Sequence, residues 1–139
     1  MQAVYTASAT ASGDGRNGHT RSSDGVLDLD LAVPKEMGGP GGAHTNPEQL
    51  FAAGYAACFH GALNVVARKE KIELTDTAIT VDVGIGDNGA GGFGLAVTIE
   101  AELPSVDETT GRRLLEAAHQ VCPYSKAIRG NVDVTFNLA

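Results

Sequence analysis

The stretch "TNPEQLFAAGYAACFHGAL", residues 45–63, decides the fold because it predicts one long helix through the middle of the chain. Asn46 can cap this helix, Pro47 fits its first position, and Gln49 can complete a capping box. The helical pattern continues to about Lys71, where basic residues suit a helix C-terminus. Because the first half of the helix is apolar on nearly all sides, a partner subunit is expected to cover part of it.

Segments that alternate apolar and polar residues lie on both sides of this helix and predict strands. They cover residues 3–11, 19–23 and 26–34 before the helix and residues 77–86, 93–103 and 132–138 after it. The motif "SVDE" at residues 105–108 predicts a capping box for a second helix that ends near Val121. A short third helix is expected from Pro123 to a stop at Gly130. The order βββ-α-ββ-α-β predicts an α+β fold in a single domain over residues 1–139.

Composition and charge exclude several classes of protein. The 139 residues carry a net charge of −7 and show no basic patch, so neither nucleic acid nor an anionic membrane surface is an expected partner. The apolar runs are shorter than the ~20 residues of a membrane span, and no leader pattern opens the chain. Two cysteines cannot form a dense extracellular disulfide framework. We therefore expect a cytoplasmic protein with two thiols.

Cys58 lies in the tight, apolar part of the long helix. Only a thiolate attacks an electrophile, and burial among apolar side chains raises the pKa of a thiol. His60 points about 200° around the helix from Cys58, and the basic residues of this helix begin only at Arg68. If Cys58 is reactive, the activating cation must therefore come from another segment. A buried thiol that merely fills the core is the competing interpretation.

Cys122 stands in a different setting, just before Pro123 and a short helix, where backbone N–H groups can stabilise a thiolate. This position suits a resolving thiol. A metal site is the alternative, because His119 and Cys122 can share a helical face and Cys58 can join them. That set gives three ligands and no evident fourth, so the spacing indicates a metal only weakly.

Four blocks of the sequence carry a resemblance to a known family. They are "GRNGH…SSDGVLDLDLAVP", "GGPGGAHTNPEQL", the helix around Cys58, and "HQVCPYSKAIRGNVDV" around Cys122. Together they resemble the organic hydroperoxide resistance proteins, the Ohr branch of the Ohr/OsmC superfamily. The likeness covers essentially the whole chain, and "AGYAACF" with the early "GRxG" turn favours this branch over the sister OsmC proteins. Ile128 stands where the family pattern has Thr.

The resemblance implies a cysteine-based thiol peroxidase that reduces organic hydroperoxides to alcohols, built as an intertwined homodimer. Carried onto this chain, Cys58 is the peroxidatic thiol that becomes a sulfenic acid, and Cys122 is the resolving thiol that forms the Cys58–Cys122 disulfide. Arg16 matches the activating arginine, and Glu48 matches the carboxylate that holds it. The resemblance also implies no bound cofactor or metal, because an external dithiol such as a lipoylated protein restores the thiols.

The chemistry of these residues fits those implied roles. Arg16 would supply the fixed charge that Cys58 lacks, and Glu48 can hold its guanidinium through two hydrogen bonds. The plainer interpretations are a solvated turn arginine and a first-turn acid favoured by the helix dipole. Glu48 and Cys58 would be separated by ~15 Å along one helix, so one arginine cannot easily touch both. We therefore predict that the Arg16–Glu48 pair facing a given Cys58 belongs to the other subunit.

Other functions remain open from sequence alone. An OsmC-type peroxidase would use the same cysteines with other substrates and reductants. A non-enzymatic thiol redox sensor would react once and signal, without turnover by a dithiol. A structural or metal-binding domain would tolerate the loss of Cys58. Apolar residues near the helix start could form walls for a fatty or aryl hydroperoxide, although core packing explains them equally well: Met37, Leu50, Phe51 and Tyr55.

Overall fold

The order of helices and strands matches the α+β arrangement predicted from the sequence, and the computed structural model describes residues 1–139. The chain divides into two compact units, Met1–Leu50 and Phe51–Ala139. The expected fold class, with a long central helix, is confirmed. The single domain over residues 1–139 and the intertwined homodimer stay predictions.

The Met1–Leu50 unit contains a small antiparallel sheet in the order β1-β2-β3. Its strands are β1 (Ala9–Ser12), β2 (His19–Ser22) and β3 (Asp28–Asp30), all shorter than the alternation predicts. The shortening has a simple cause, since a strand extends only as far as its partner. β2 pairs with β1 from Ala9↔Ser22 to Ser12↔His19. It pairs with β3 over only three residues, His19 to Arg21.

The long helix α1 (Pro47–Lys69) begins where the sequence predicts. Asn46 Oδ1 accepts a hydrogen bond from the Gln49 backbone N–H at 2.8 Å, which confirms the cap. The second half of the predicted capping box is wrong, because the Gln49 side-chain oxygen accepts from the Thr45 hydroxyl instead. The helix ends two residues before Lys71, which adopts a left-handed φ of 58° while the next N–H bonds the carbonyl of Ala67.

α1 differs in one respect from the sequence expectation, which held the apolar runs of the chain too short to span a membrane. By length and composition alone, this one helix is long and apolar enough to cross a membrane. A single helix of this kind is weak evidence for a span, because the core helix of a soluble protein meets the same test. Its residues Tyr55, Phe59 and Leu63 are buried within the Phe51–Ala139 unit, which is how a core helix behaves.

The Phe51–Ala139 unit holds the second sheet, with strands in the order β4-β5-β6. β4 (Ala78–Asp87) and β5 (Phe93–Glu102) form an antiparallel hairpin, and β6 (Val134–Leu138) pairs parallel to β5. Side chains from this sheet and from the helices form one hydrophobic core. Its fully buried members include Tyr55, Phe59, Leu63, Ile99, Leu114 and Cys122.

Two further helices, α2 (Glu108–Val121) and α3 (Pro123–Ile128), complete this unit. The predicted Ser105 cap of α2 is wrong, because Asp107 caps the helix and accepts from the Thr110 N–H at 2.8 Å. The Ser105 hydroxyl instead accepts a hydrogen bond from the Thr75 N–H. Ser and Asp are both favoured N-cap residues, and the hydrogen bond from Thr75 to the Ser105 hydroxyl leaves Asp107 as the cap.

Candidate active site

The two cysteines of the chain lie together inside the Phe51–Ala139 unit. Cys58 sits in the middle of α1, and Cys122 sits at the junction of α2 and α3. Their Sγ atoms are 3.8 Å apart, and both thiols are free. A disulfide needs about 2.05 Å between the sulfurs, so the pair is in contact and one short movement away from a bond.

Local backbone geometry explains the position of Cys122. Its N–H donates to the Ala118 carbonyl, which ends α2, and its own carbonyl accepts from the Lys126 N–H, which begins α3. Pro123 occupies the first position of α3, where its missing N–H costs nothing. The residue between two helices is thereby fixed, and its side chain is completely buried.

The surroundings of Cys58 disfavour its thiolate. Cys58 is only partly buried, and this partial burial raises the pKa of its thiol above the ordinary value, as the sequence predicts. The neighbouring Cys122 thiol acts in the same direction. A hydrogen bond from the Tyr124 backbone N–H opposes this rise. The first turn of α3 therefore donates a backbone hydrogen bond to Cys58. The sequence analysis expected these N–H groups to stabilise Cys122, but the Cys122 side chain makes no capping hydrogen bond with them.

A buried polar network lies beside the thiols. Ser125 is the one fully buried polar side chain of the core. Its hydroxyl shares a 2.6 Å hydrogen bond with the Tyr55 hydroxyl and a 2.8 Å hydrogen bond with His119 Nδ1. Burial lowers the pKa of His119 and raises that of Tyr55, so both side chains are neutral near pH 7. Sequence reasoning missed this network, although Tyr55 and Ser125 each stand three residues from a cysteine.

The alternative of a metal at His119, Cys122 and Cys58 finds no structural basis. No group of three or more His, Cys, Asp or Glu side chains in the chain is arranged to hold a metal ion. His119 Nδ1 is engaged by Ser125, and the edge of its ring packs against Phe136.

Tyr55 cannot form part of the predicted wall for a hydroperoxide, because its side chain is fully buried.

The other two predicted site residues lie together in the Met1–Leu50 unit. Arg16 donates from one guanidinium nitrogen to Glu48 Oε2 at 2.9 Å and from the other to Oε1 at 2.8 Å. This two-point pair fixes the plane of the guanidinium. The Glu48 side chain is only 13% exposed and that of Arg16 is 39% exposed. Arg16 holds the pKa of the Glu48 carboxyl below its usual range, so the pair is ionised at neutral pH.

A tight turn presents Arg16 to Glu48. Arg16 lies on a 3₁₀ turn over Gly15–Asn17, between β1 and β2. Gly18 closes that turn, and a Cβ on it would lie 2.2 Å from the Ser12 carbonyl oxygen. Only glycine fits there, so the "GRNG" motif is a structural requirement for the position of the arginine.

The chain is similar to known proteins over nearly its whole length. The sequence pattern of the OsmC-like protein family matches residues 39–137. An organic hydroperoxide resistance protein of Xanthomonas axonopodis pv. citri is 53% identical over 137 residues, covering 98% of this chain and 95% of that protein. The chain belongs to the Ohr branch of the OsmC-like family. The branch also includes the organic hydroperoxide resistance protein OhrB of Bacillus subtilis, 50% identical over 98% of both chains.

The fold of this Ohr-family chain is shared with a solved relative. A crystal structure of an organic hydroperoxide resistance protein from Legionella pneumophila superposes with a TM-score of 0.93 at 49% identity. The match covers 99% of both chains. The resemblance inferred from the sequence motifs is therefore confirmed at the level of family and fold. The catalytic roles of Cys58, Cys122, Arg16 and Glu48 stay predictions.

Proposed function

We propose that this protein detoxifies organic hydroperoxides as a cysteine-based thiol peroxidase, reducing them to alcohols. The observation that carries the proposal is the contact between two free thiols, 3.8 Å apart, inside a member of the Ohr branch. Relatives at 50–53% identity are named for resistance to organic hydroperoxides. A buried cysteine that only filled the core would need no second thiol against it.

The reaction proceeds in three balanced steps. The Cys58 thiolate attacks the terminal peroxide oxygen, the O–O bond breaks, and the alkoxide leaves as the alcohol with a proton; Cys58 becomes a sulfenic acid. The Cys122 sulfur then forms a bond to the Cys58 sulfur, and the hydroxyl group leaves as water with the Cys122 proton. An external dithiol reduces the resulting disulfide by exchange and becomes oxidised itself.

Activation of Cys58 needs a positive charge, because burial raises the pKa of its thiol. Arg16 has a fixed charge and a fixed orientation through Glu48, which makes it the proposed activator. Glu48 precedes Cys58 by almost three turns of α1, a spacing of ~15 Å along the axis. This spacing supports a homodimer in which Arg16 of one subunit serves Cys58 of the other.

The proposal includes the partners of the reaction. A lipoylated protein or another dithiol would act as reductant, since the mechanism uses no bound metal or organic cofactor. An intact cycle with a dithiol distinguishes an enzyme from a redox sensor, which would react once. A cytoplasmic location would supply reduced dithiols, and it is part of the same proposal.

The test is the intact mass of the reduced protein after one equivalent of cumene hydroperoxide. Wild-type protein should lose about 2 Da, while Cys122→Ser should gain about 16 Da instead. Cys58→Ser, the matched control, should keep its mass. If the wild-type mass stays unchanged, Cys58 is a core thiol and the peroxidase proposal is wrong. An OsmC-type preference would appear as the same mass changes with a different ranking of hydroperoxides.

A further inference from the structure

The hydrogen bond between Tyr55 and Ser125 runs beside the two thiols. Tyr55 stands three residues before Cys58 on α1, so the two side chains share one face of that helix. Ser125 stands three residues after Cys122, within the first turn of α3 that Cys122 caps. The 2.6 Å hydroxyl contact and the 3.8 Å thiol contact therefore join the same two segments of backbone.

A second arm braces the same serine. His119, three residues before Cys122 on α2, places Nδ1 at 2.8 Å from the Ser125 hydroxyl. Arg129, at the end of α3, donates to the His119 backbone carbonyl at 2.6 Å. Ser125 is thus tied to α1 and α2 at once, and the first turn of α3 cannot shift without breaking a buried hydrogen bond.

Packing of the core does not by itself require this hydrogen-bond network. A hydroxyl buried among apolar groups adds nothing to packing that an alanine would not give, and it requires partners to avoid a desolvation cost. Ser125 has both partners in place, and no buried side-chain polar atom of the chain lacks one. The arrangement specifies a position for the backbone that carries Cys122.

We infer that Tyr55 and Ser125 are positioning residues for the resolving step of the proposed peroxidase: their hydrogen bond holds Cys122 against Cys58. The inference rests on the proposed function. Both side chains are fully buried, so we expect the attack of Cys58 on the peroxide not to depend on contact with them. What depends on them is the rate at which Cys122 captures the sulfenic acid on Cys58.

The consequence is a competition between two fates of the sulfenic acid. In one, the Cys122 sulfur displaces the hydroxyl group, which leaves as water with the Cys122 proton. In the other, a second hydroperoxide gives one oxygen to Cys58, which becomes a sulfinic acid, and the hydroperoxide leaves as an alcohol. A well-held Cys122 favours the first fate. A loosened α3 favours the second, which the dithiol cannot reverse.

The experiment separates the two steps by rapid quenching and intact mass. Wild type, Tyr55→Phe, Ser125→Ala and the double variant are mixed with one equivalent of cumene hydroperoxide, and then with increasing excess. Ser105→Ala is the matched control, because it removes a bonded serine hydroxyl at an exposed position away from α3. Tyr55→Phe keeps the aromatic ring in the core, so it reports on the bond even if Ser125→Ala folds poorly.

The expected result is selective. Loss of reduced protein should proceed at the wild-type rate in every variant, whereas formation of the species about 2 Da lighter should slow roughly three- to tenfold in Tyr55→Phe and Ser125→Ala. The hydroperoxide excess that converts half of the protein to the species about 32 Da heavier should fall by the same factor. The double variant should be no slower than the slower single variant, because Ser125→Ala already removes the bond that Tyr55→Phe removes.

Two results would overturn the inference. One is a disulfide formed at the wild-type rate in both single variants, while wild type itself shows the loss of about 2 Da. The other is an equal slowing of both steps, which would mark a general structural role for the network. Failure of wild type to change mass at all would overturn the peroxidase proposal and the inference together.

Discussion

The two compact units of this protein differ in what they provide for thiol chemistry. The Phe51–Ala139 unit brings two sulfurs to 3.8 Å, yet burial there raises the pKa of Cys58 and disfavours the thiolate. The Met1–Leu50 unit contains no cysteine but holds a guanidinium rigidly on a carboxylate. One unit thus has the geometry for redox chemistry, and the other has the charge.

Under the proposed function, this division would make the reactivity of Cys58 conditional. A buried thiol without a cation is unreactive towards most electrophiles, because its protonated form predominates. An arginine held by a carboxylate has no redox chemistry of its own. Reaction is expected only when the two are combined, which in a homodimer would tie peroxidase activity to assembly.

The largest effect is expected from removing the attacking sulfur. Cys58→Ser should abolish dithiol-dependent reduction of cumene hydroperoxide, since a serine hydroxyl is not ionised near pH 7 and cannot take the oxygen. Steady-state consumption of hydroperoxide with a lipoyl-type dithiol measures this. Cys122→Ser is the matched variant and should still reduce one equivalent rapidly. Persistent turnover by Cys58→Ser would assign the chemistry to another group.

The next effect concerns the charge in the other unit. Arg16→Ala should slow oxidation of Cys58 about a hundredfold, a value typical of removing one charge-stabilising donor from an active site. Removing the cation raises the pKa of Cys58 further, so the midpoint of iodoacetamide alkylation against pH should move upward. Arg16→Lys should fall between the two, because lysine keeps the charge and loses the two-point pair with Glu48.

The control for Arg16 is Arg112→Ala, which removes an exposed arginine on α2 paired with Glu108. It should leave both the oxidation rate and the alkylation midpoint unchanged. If Arg16→Ala folds normally and its oxidation rate is within about threefold of the wild-type rate, the cation that activates Cys58 is a different group. The Arg16–Glu48 pair would then be a structural ion pair without a role in activating Cys58.

The sequence predicted the fold well wherever local chemistry decides it. The Asn46 cap, the length of α1 and the hairpin of β4 and β5 follow from periodicity and capping residues within a few positions. Element ends were less predictable. Ser105 and Asp107 are both good caps, and only the contact of Ser105 with Thr75 from a distant loop decides between them.

The candidate site was predictable only in part, because its contacts join distant segments. Partial burial of Cys58 follows from its apolar neighbours. Tyr55 and Ser125, by contrast, are 70 residues apart, and their bond exists only in the folded core. The first N–H groups of α3 were expected to serve Cys122, whereas in the structure the Tyr124 N–H bonds Cys58. Arg16 and Glu48 came from family motifs, since no local pattern connects them.

A smaller but sharper effect tests whether the two units act across subunits. Cys58→Ser and Arg16→Ala chains, each inactive or nearly so, are unfolded together in equal amounts and refolded. If Arg16 acts on the partner's thiol, each mixed dimer has one complete site, and random pairing should restore about a quarter of wild-type activity. Each variant refolded alone is the control. Activity no higher than the sum of the controls would place both residues of a site in one chain.

The smallest effect is on stability and arises from the Arg16–Glu48 pair. Arg16 lowers the pKa of Glu48 from its ordinary value of 4.5 in the folded protein. A carboxyl with a depressed folded pKa contributes stability that is fully present above its unfolded pKa and is lost as the pH falls through the folded one. The stabilisation should therefore be constant near neutral pH, decline once the pH falls below the ordinary value of 4.5, and be lost as the pH falls through the depressed folded value.

Glu48→Gln isolates this contribution, because the amide keeps the size of the side chain and loses the charge. The variant should unfold in urea with about 0.5–1 kcal/mol less free energy than wild type at pH 7, a small value because Arg16 is partly exposed. The two proteins should converge as the pH falls, since wild type then loses the same ion pair. Glu36→Gln, which removes an exposed carboxylate without an ion pair in the same unit, should match wild type at every pH. A difference between wild type and Glu48→Gln that persists undiminished at low pH would mean that the lost stability does not come from the ion pair, and that the charge of Glu48 does not hold Arg16 in the fixed orientation on which its proposed role depends.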